Sequence, residues 1–227
     1  MTTIRLAVLD MAGTTVRDDG IVAHAFLAAL ASVGHGPDDA EHAARVAHVQ
    51  ATMGQSKIEV FRAMFPGDEH KARSANRAFE AAVDTYVREQ GAAPIDGAAD
   101  ALAELRDGGV KVCLTTGFSA PTQAALVAHL GWGDRVDLTL APGPGRRGRP
   151  HPDLVLAAVM ALEIDDVREV AVAGDTANDL LSGHRAGASI VAGVLTGSHD
   201  RSQLEAAPHT HILDSVADLP AVVLAAR

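Results

Sequence analysis

An α/β fold built on a parallel sheet, with an all-helical segment inserted after the first strand, is what this sequence predicts. Three observations carry that expectation. Short Val- and Leu-rich runs end in polar or small residues, as strands buried on both faces do: "IRLAVLD" (4–10), "VKVCLTT" (110–116), "VDLTLAP" (136–142) and "EVAVAGD" (169–175). Helical patterns over 97–108, 121–130, 153–162 and 177–186 alternate with them, the last closed by Gly187 as a helix stop. Residues 17–90 break this alternation and read as helices with no strand among them.

Taken in order, the first strand delivers Asp10 into the small-residue turn "MAGTT". The inserted helices are "IVAHAFLAALASVG" (21–34), "PDDAEHAARVAHVQATM" (37–53), "SKIEVFRAMF" (56–65) and a longer one over 69–90. "GAAPIDG" (91–97) is the return linker, after which strands and helices alternate again, with further strands in "ASIVAGVLTG" (188–197) and "HILDS" (211–215). The expected organisation is an α/β core of residues 1–16 and 91–227 with a helical domain of residues 17–90 between them.

Bulk composition narrows the function. The chain has 227 residues, is 48% hydrophobic and carries a formal net charge of −10, which argues against nucleic acid or an anionic membrane as the partner. No apolar run reaches the length of a membrane span, and no basic, apolar leader precedes the first strand; a soluble cytoplasmic protein is expected. The lone Cys113, inside an apolar run, reads as a buried structural thiol in a reducing compartment. Lys57, Lys71 and Lys111 are the only lysines.

In an open α/β sheet, ligands collect at the carboxyl ends of the strands. Asp10 follows the first strand, Thr115, Thr116 and Gly117 end the second, Arg149 lies in the loop "GPGRRGRPHPD" after the third, and Asp175 ends the fourth, with Asp179 four residues on. Asp10 and Asp175 can hold Mg²⁺, a hard cation that prefers oxygen ligands. Thr115 and nearby backbone N–H groups can hold phosphoryl oxygens whose charge Arg149 neutralises. Asp10 is then placed to attack phosphorus and form an aspartyl-phosphate. Taken singly each residue has a plain structural reading as a helix cap, turn or loop; the set in this order is what points to metal-assisted phosphoryl transfer. The histidines form no convincing metal-ligand spacing, and His151, beside Arg149, is the one candidate for substrate contact.

"DMAGTT", "LTTG", "GRP" and "GDTANDLLSGHRAG" resemble the four motifs of the haloacid dehalogenase superfamily, and the helical insertion resembles its type-1 cap. The resemblance implies a Rossmann-like core, Asp10 as nucleophile, and Mg²⁺ held by Asp10, the Ala12 carbonyl and Asp175, with Asp179 supporting the metal shell. Ala12, Gly13, Thr115, Thr116, Gly117 and Met53 would then contact the substrate.

Typical phosphatases of that superfamily carry Asp two residues after the nucleophile to protonate the leaving alcohol, help worth roughly 10²–10⁴ in rate. Ala12 stands there instead. The phosphonoacetaldehyde hydrolases, which this chain resembles in "DMAGTT", in Arg149 and in "MGQSKIEV", do without that acid: a cap lysine forms a Schiff base with the substrate aldehyde, and the iminium accepts the electrons of the breaking P–C bond. Lys57 falls at the position of that lysine. Ser56–Glu59 also reads as a capping box that would start a helix at Lys57, where the helix dipole disfavours an ammonium ion. The bias matters, since from a reference pKa of about 10.4 only roughly one lysine in 2,500 is neutral at pH 7.

Three positions depart from the phosphonatase pattern: Val60, Phe118 and Ile21 stand where that family has His, Tyr and Cys. The expectation is a Mg²⁺-dependent phosphonatase-like hydrolase acting on phosphonoacetaldehyde or a related carbonyl phosphonate. The alternatives are a phosphomonoesterase of the phosphoglycolate phosphatase type, or a degenerate relative that binds a phosphorylated ligand without turnover. The apolar cap helices offer a surface through which two copies could pair as a homodimer.

Overall fold

The computed structural model describes residues 3–226. Six parallel strands form one sheet: β1 (Leu6–Asp10), β2 (Lys111–Thr115), β3 (Leu138–Leu140), β4 (Val170–Gly174), β5 (Ile190–Val194) and β6 (His211–Leu213), in the order β3-β2-β1-β4-β5-β6. β1 and β4 are buried along their whole length, which explains why their sequences are apolar runs rather than alternating patterns. Right beside one another in the register are Asp10 and Thr115, at the carboxyl ends of β1 and β2. The strand order reverses direction between β1 and β4, the position at which open α/β sheets leave a crevice.

Four helices lie between β1 and the remaining strands: α1 (Ile21–Ser32), α2 (His42–Ala51), α3 (Lys57–Met64) and α4 (Glu69–Gln90). The chain enters and leaves this insert side by side. Arg17 N donates to Ala93 O at 2.9 Å, Ile95 N donates to Thr15 O at 3.0 Å, and Val16 bridges Pro94. The insert has an aromatic centre, in which Phe79 of α4 sits 4.7 Å from Phe26 of α1 and 6.3 Å from Phe61 of α3, ring centre to ring centre. Phe79 also reaches Phe118 of the sheet domain, at 6.0 Å, so one apolar cluster runs from the insert to β1 and β2.

The other helices are α5 (Ala98–Asp107), α6 (Ala120–His129), α7 (Asp153–Ala161), α8 (Ala177–Ala186), α9 (Arg201–Glu205) and α10 (Leu219–Ala225). The helices expected over 69–90 and 177–186 match their observed bounds, and Gly187 closes α8 in the left-handed region at φ 87°. Elsewhere the sequence reading overran. The expected helix over 37–53 begins only at His42, because the Asp39 carboxylate accepts from the Glu41 N–H and pairs with the His35 ring, fixing a turn instead. The strand expected over 188–197 stops at Val194, and the one over 136–142 shrinks to three residues. The segments that leave these strands early are the ones that turn towards the site. Helices α9 and α10 were not expected.

Cys113 is buried in β2, and burial pushes its thiol up to about 12, consistent with a structural role. No helix among the described residues is long and apolar enough to cross a membrane.

Phe79 is fully buried at the junction of three other phenyl rings, so Phe79→Ala is expected to destabilise the chain by about 3–5 kcal/mol. Denaturant unfolding checks this, and an effect below 1 kcal/mol would mean that the insert does not depend on this cluster.

Candidate active site

Loop segments at the carboxyl edge of the sheet build the site, and burial defines its character. Asp10, Asp175 and Asp179 each offer an oxygen within 4.8 Å of the others, and all three are buried. Arg149, itself 5% exposed, places Nη1 against both Asp10, at 2.6 Å, and Asp179. One guanidinium against three carboxylates leaves net negative charge in a poorly solvated place. Burial therefore lifts the Asp10 carboxyl to about 6 despite the pull of Arg149, and burial together with Asp10 and Asp179 holds Asp175 well above the ordinary carboxylate range. This donor set of close, under-compensated oxygens suits a hard divalent cation such as Mg²⁺.

Asp175 is clasped on every side. Thr14 Oγ1 donates to its Oδ1 at 3.1 Å and Ser198 N donates to its Oδ2 at 2.7 Å. Glycine is needed on both flanks: a Cβ on Gly13 would lie 2.6 Å from Asp175 Oδ2, and one on Gly197 would lie 2.0 Å from it. Thr196 Oγ1 donates to Gly13 O at 2.7 Å and ties these two loops together. The 196–198 segment is thus part of the site, although the sequence reading took 188–197 as strand. Its only local signal was a Thr-Gly-Ser turn after an apolar run.

Asp179 has a double task. Its Oδ2 accepts from the Thr176 N–H at 3.1 Å and from the Thr176 hydroxyl, capping α8, while Oδ1 faces Arg149. Arg149 therefore bridges the expected nucleophile and the expected metal-shell carboxylate. Its Nε and Nη2 are buried without a hydrogen-bond partner, two donors left for an anionic ligand.

The insert contributes Lys57, at the first position of α3 and 7% exposed. The helix start agrees with the sequence expectation, but the capping box does not form. Ser56 makes no side-chain cap and packs against Gly148, where a Cβ would come within 2.8 Å of the Ser56 Cβ. Glu59 instead pairs with Arg62 at 2.6 Å. The Lys57 N–H, which has no partner within the helix it starts, is satisfied from the sheet domain, donating to Gly117 O at 3.2 Å.

Around the Lys57 ammonium stand Phe26, Phe118 and Phe79, with ring centres at 5.5, 5.6 and 5.9 Å. Burial, and next the positive charge of Arg149, lower its pKa to about 8. At that value about a tenth of the lysine is neutral at pH 7, against roughly one in 2,500 for a solvated one. Phe118 is buried and lines the cavity, and Ile21 and Val60 are buried in the core, so these three positions supply no polar group.

A cavity of about 30 Å³ joins these residues, lined among others by Asp10, Ala12, Lys57, Thr116, Arg149 and Asp175. Met53 and Gly117 also line it, and Gly13 stands directly behind Asp175. Thr115 does not line it. Its hydroxyl donates to Leu9 O at 3.4 Å within the sheet, and Thr116, the first residue beyond β2, lines the cavity instead. His151 lies outside the cavity, in the loop beyond Arg149.

Sequence reasoning also missed Asp18. It lines the cavity, accepts from the Val22 N–H at 3.0 Å, and has its carboxyl raised by burial, with Lys57 pulling the other way. In the sequence it looks like an ordinary helix-start Asp before "DGIVAH".

The haloacid dehalogenase-like hydrolase family model matches residues 4–187. The chain belongs to that family. Phosphonoacetaldehyde hydrolase of Pseudomonas aeruginosa strain PAO1 is 30% identical over 97% of this chain and 92% of its own length. The probable phosphatase IndB of Dickeya dadantii is 27% identical over 94% of this chain and 91% of its own. A phosphonoacetaldehyde hydrolase-like protein from Oleispira antarctica shares the fold, with a TM-score of 0.81, 23% identity and coverage of 98% and 92% of the two chains. This haloacid dehalogenase-like hydrolase thus combines a Rossmann-like parallel sheet with a helical insert that delivers Lys57 to Asp10.

Mg²⁺ at 100 times its Kd is expected to raise the unfolding free energy by about 2.7 kcal/mol, read as an increase in Tm. Asp175→Asn is expected to remove that increase. An equal Mg²⁺ response in the variant would place the ion elsewhere.

Proposed function

We propose that this hydrolase cleaves the P–C bond of phosphonoacetaldehyde or a related carbonyl phosphonate. The observation that carries the reading is the enclosure of Lys57, with its lowered pKa, in the same small cavity as Asp10 and Arg149. A purely structural or phosphate-binding role does not require a lysine that is easily made neutral.

The neutral Lys57 amine attacks the substrate carbonyl carbon. The carbinolamine takes up a proton and loses water to leave an iminium, and the later hydrolysis that frees Lys57 returns that proton. The Asp10 carboxylate then attacks phosphorus. The P–C bond breaks with its electron pair moving to carbon, giving an enamine on Lys57 and an aspartyl-phosphate on Asp10. Water hydrolyses the acyl phosphate to release orthophosphate. The enamine takes a proton at carbon, and a second water hydrolyses the iminium to free the aldehyde and Lys57. Because the water lost in forming the iminium is returned in this step, the net reaction consumes one water. No acid is needed at position 12, because the departing carbon leaves as an enamine rather than as an alkoxide.

Arg149, through its unpartnered Nε and Nη2, supports the reading as the group that binds the phosphonyl oxygens. Asp10, the Ala12 carbonyl and Asp175, backed by Asp179, would hold the Mg²⁺, which supplies neutralisation of charge on those oxygens. The three phenyl rings that face the ammonium would equally stabilise the iminium cation. Asp18 takes over the proton handling that Val60, Phe118 and Ile21 do not offer, since it is the carboxylate in the cavity outside the Asp10–Asp175–Asp179 group.

A second reading, phosphomonoester hydrolysis, is favoured by the probable phosphatase that matches most of the chain. The two differ at Lys57. Under P–C cleavage, phosphonoacetaldehyde with borohydride traps a covalent adduct on Lys57, and Lys57→Ala abolishes turnover. Under ester hydrolysis the lysine stays unmodified and the variant chiefly raises KM.

The pH profile is a separate check. With the pKa at about 8, the ammonium dominates below that pH and the reactive amine grows as pH rises. Trapping rates are therefore expected to climb with a midpoint near pH 8, and a midpoint above 10 would mean a solvated lysine. Asp18→Asn is expected to slow turnover about 10²-fold while leaving KM within a few-fold. A variant with wild-type kcat would remove Asp18 from the mechanism.

A further inference from the structure

The cavity at Asp10 has room for about one water molecule, so the seam between insert and sheet must widen for any substrate to pass. The two sides of that seam differ sharply. On the α1–α2 side lies a space of about 420 Å³ lined by apolar residues such as Phe26, Leu30, Val46 and Val49. On the opposite side, between α3–α4 and the 142–151 loop, lies a cleft of about 900 Å³ lined by Arg62, Arg73, Arg77, Arg146, Arg147 and Arg149. In a chain of net charge −10, six arginines around one cleft form a local reversal of sign.

Most of these arginines already have carboxylate partners. Arg62 pairs with Glu59 and Glu69, Arg73 with Glu69, and Arg147 with Asp153. Arg77 and Arg146 have none within 4 Å among the described residues; Arg77 donates to Ser74 and Arg146 to the Ala141 carbonyl. They come from opposite walls, α4 and the 142–151 loop. At the inner end stands Arg149, which lines both the cleft and the cavity and whose Nε and Nη2 are buried and unpartnered.

We infer that this cleft is an outer anion site, in which Arg77 and Arg146 hold a dianionic phosphonyl or phosphoryl group and pass it to or from Arg149. Of the two spaces, only this one is lined by arginines among the described residues, and focused positive potential raises the local concentration of an anionic ligand. The inference rests on the proposed function only in taking the substrate to be a phosphonate; orthophosphate, the other source of the same chemistry, is the departing product.

Orthophosphate titration by calorimetry without Mg²⁺ tests it. In the double variant Arg77→Gln/Arg146→Gln, binding is expected to weaken about five-fold. Arg88→Gln, which removes a charge from the far end of α4, is expected to bind as the wild type does. Entry is read separately: the fall of kcat/KM with ionic strength should flatten in the double variant. Exit is read from product inhibition, where the orthophosphate inhibition constant should rise.

Absent orthophosphate binding in the wild type, equal binding in the double variant, or an equal loss in Arg88→Gln would each overturn the outer site. If arginine-dependent binding holds while no phosphonate is turned over, the outer site stands and the proposed function falls. Phosphonate turnover with arginine-independent binding has the opposite meaning.

Discussion

Three buried carboxylates against one guanidinium form the interaction on which the rest of the site depends. Asp10, Asp175 and Asp179 would repel one another strongly in a poorly solvated place, and Arg149 offsets only part of that charge. Such a cluster persists only because rigid elements hold each member. The parallel sheet fixes Asp10 and Asp175 at neighbouring strand ends, α8 fixes Asp179 through its cap, and two glycines allow backbone to close around Asp175. The unbalanced negative charge held there is what a divalent cation can neutralise.

Lysine 57 answers to a different constraint. Three phenyl rings wall it on one side, with Asp10, Asp18 and Asp175 across the cavity, and α3 starts against the sheet domain rather than in solvent. Desolvation is therefore the main force on its protonation, with Arg149 adding to it. The insert and the sheet meet through few polar contacts, including Asn178 Nδ2 donating to the Met53 carbonyl at 2.6 Å. Close approach is secured by Gly54 and Gly117, where a Cβ would run into Thr176 and Gln55 respectively. The chemistry of the two halves is brought together by shape, with the charge on one side and the apolar enclosure on the other.

Legibility in the sequence followed the range of the forces involved. Long helices such as α4 and α8 could be read to their ends, because their periodicity and stop signals are local. Strand ends were overrun where the chain turns towards the site, as after Val194 and after Leu140, since apolar residues there continue past the last ladder bond. The capping box at Ser56 does not form: Ser56 packs against Gly148, and Glu59 pairs with Arg62 instead. Thr116, just beyond the end of β2, lines the cavity while Thr115 bonds within the sheet, a distinction that composition does not reveal. Asp18 and the 196–198 turn gave only generic signals, and their importance comes from distant neighbours.

The sequence by itself determined the parallel α/β architecture with its helical insertion and the strand-end group of Asp10, Arg149, Asp175 and Asp179, because strand burial and strand-end chemistry leave local marks. The family and Lys57 were legible through motif resemblance. Tertiary structure alone decided the pairing of Arg149 with both Asp10 and Asp179, the phenyl enclosure of Lys57, the clasp around Asp175, and the basic cleft between insert and sheet. Each of these depends on contacts between residues far apart in the chain, and both pKa shifts and anion affinity arise from burial and distance, which are properties of the folded arrangement.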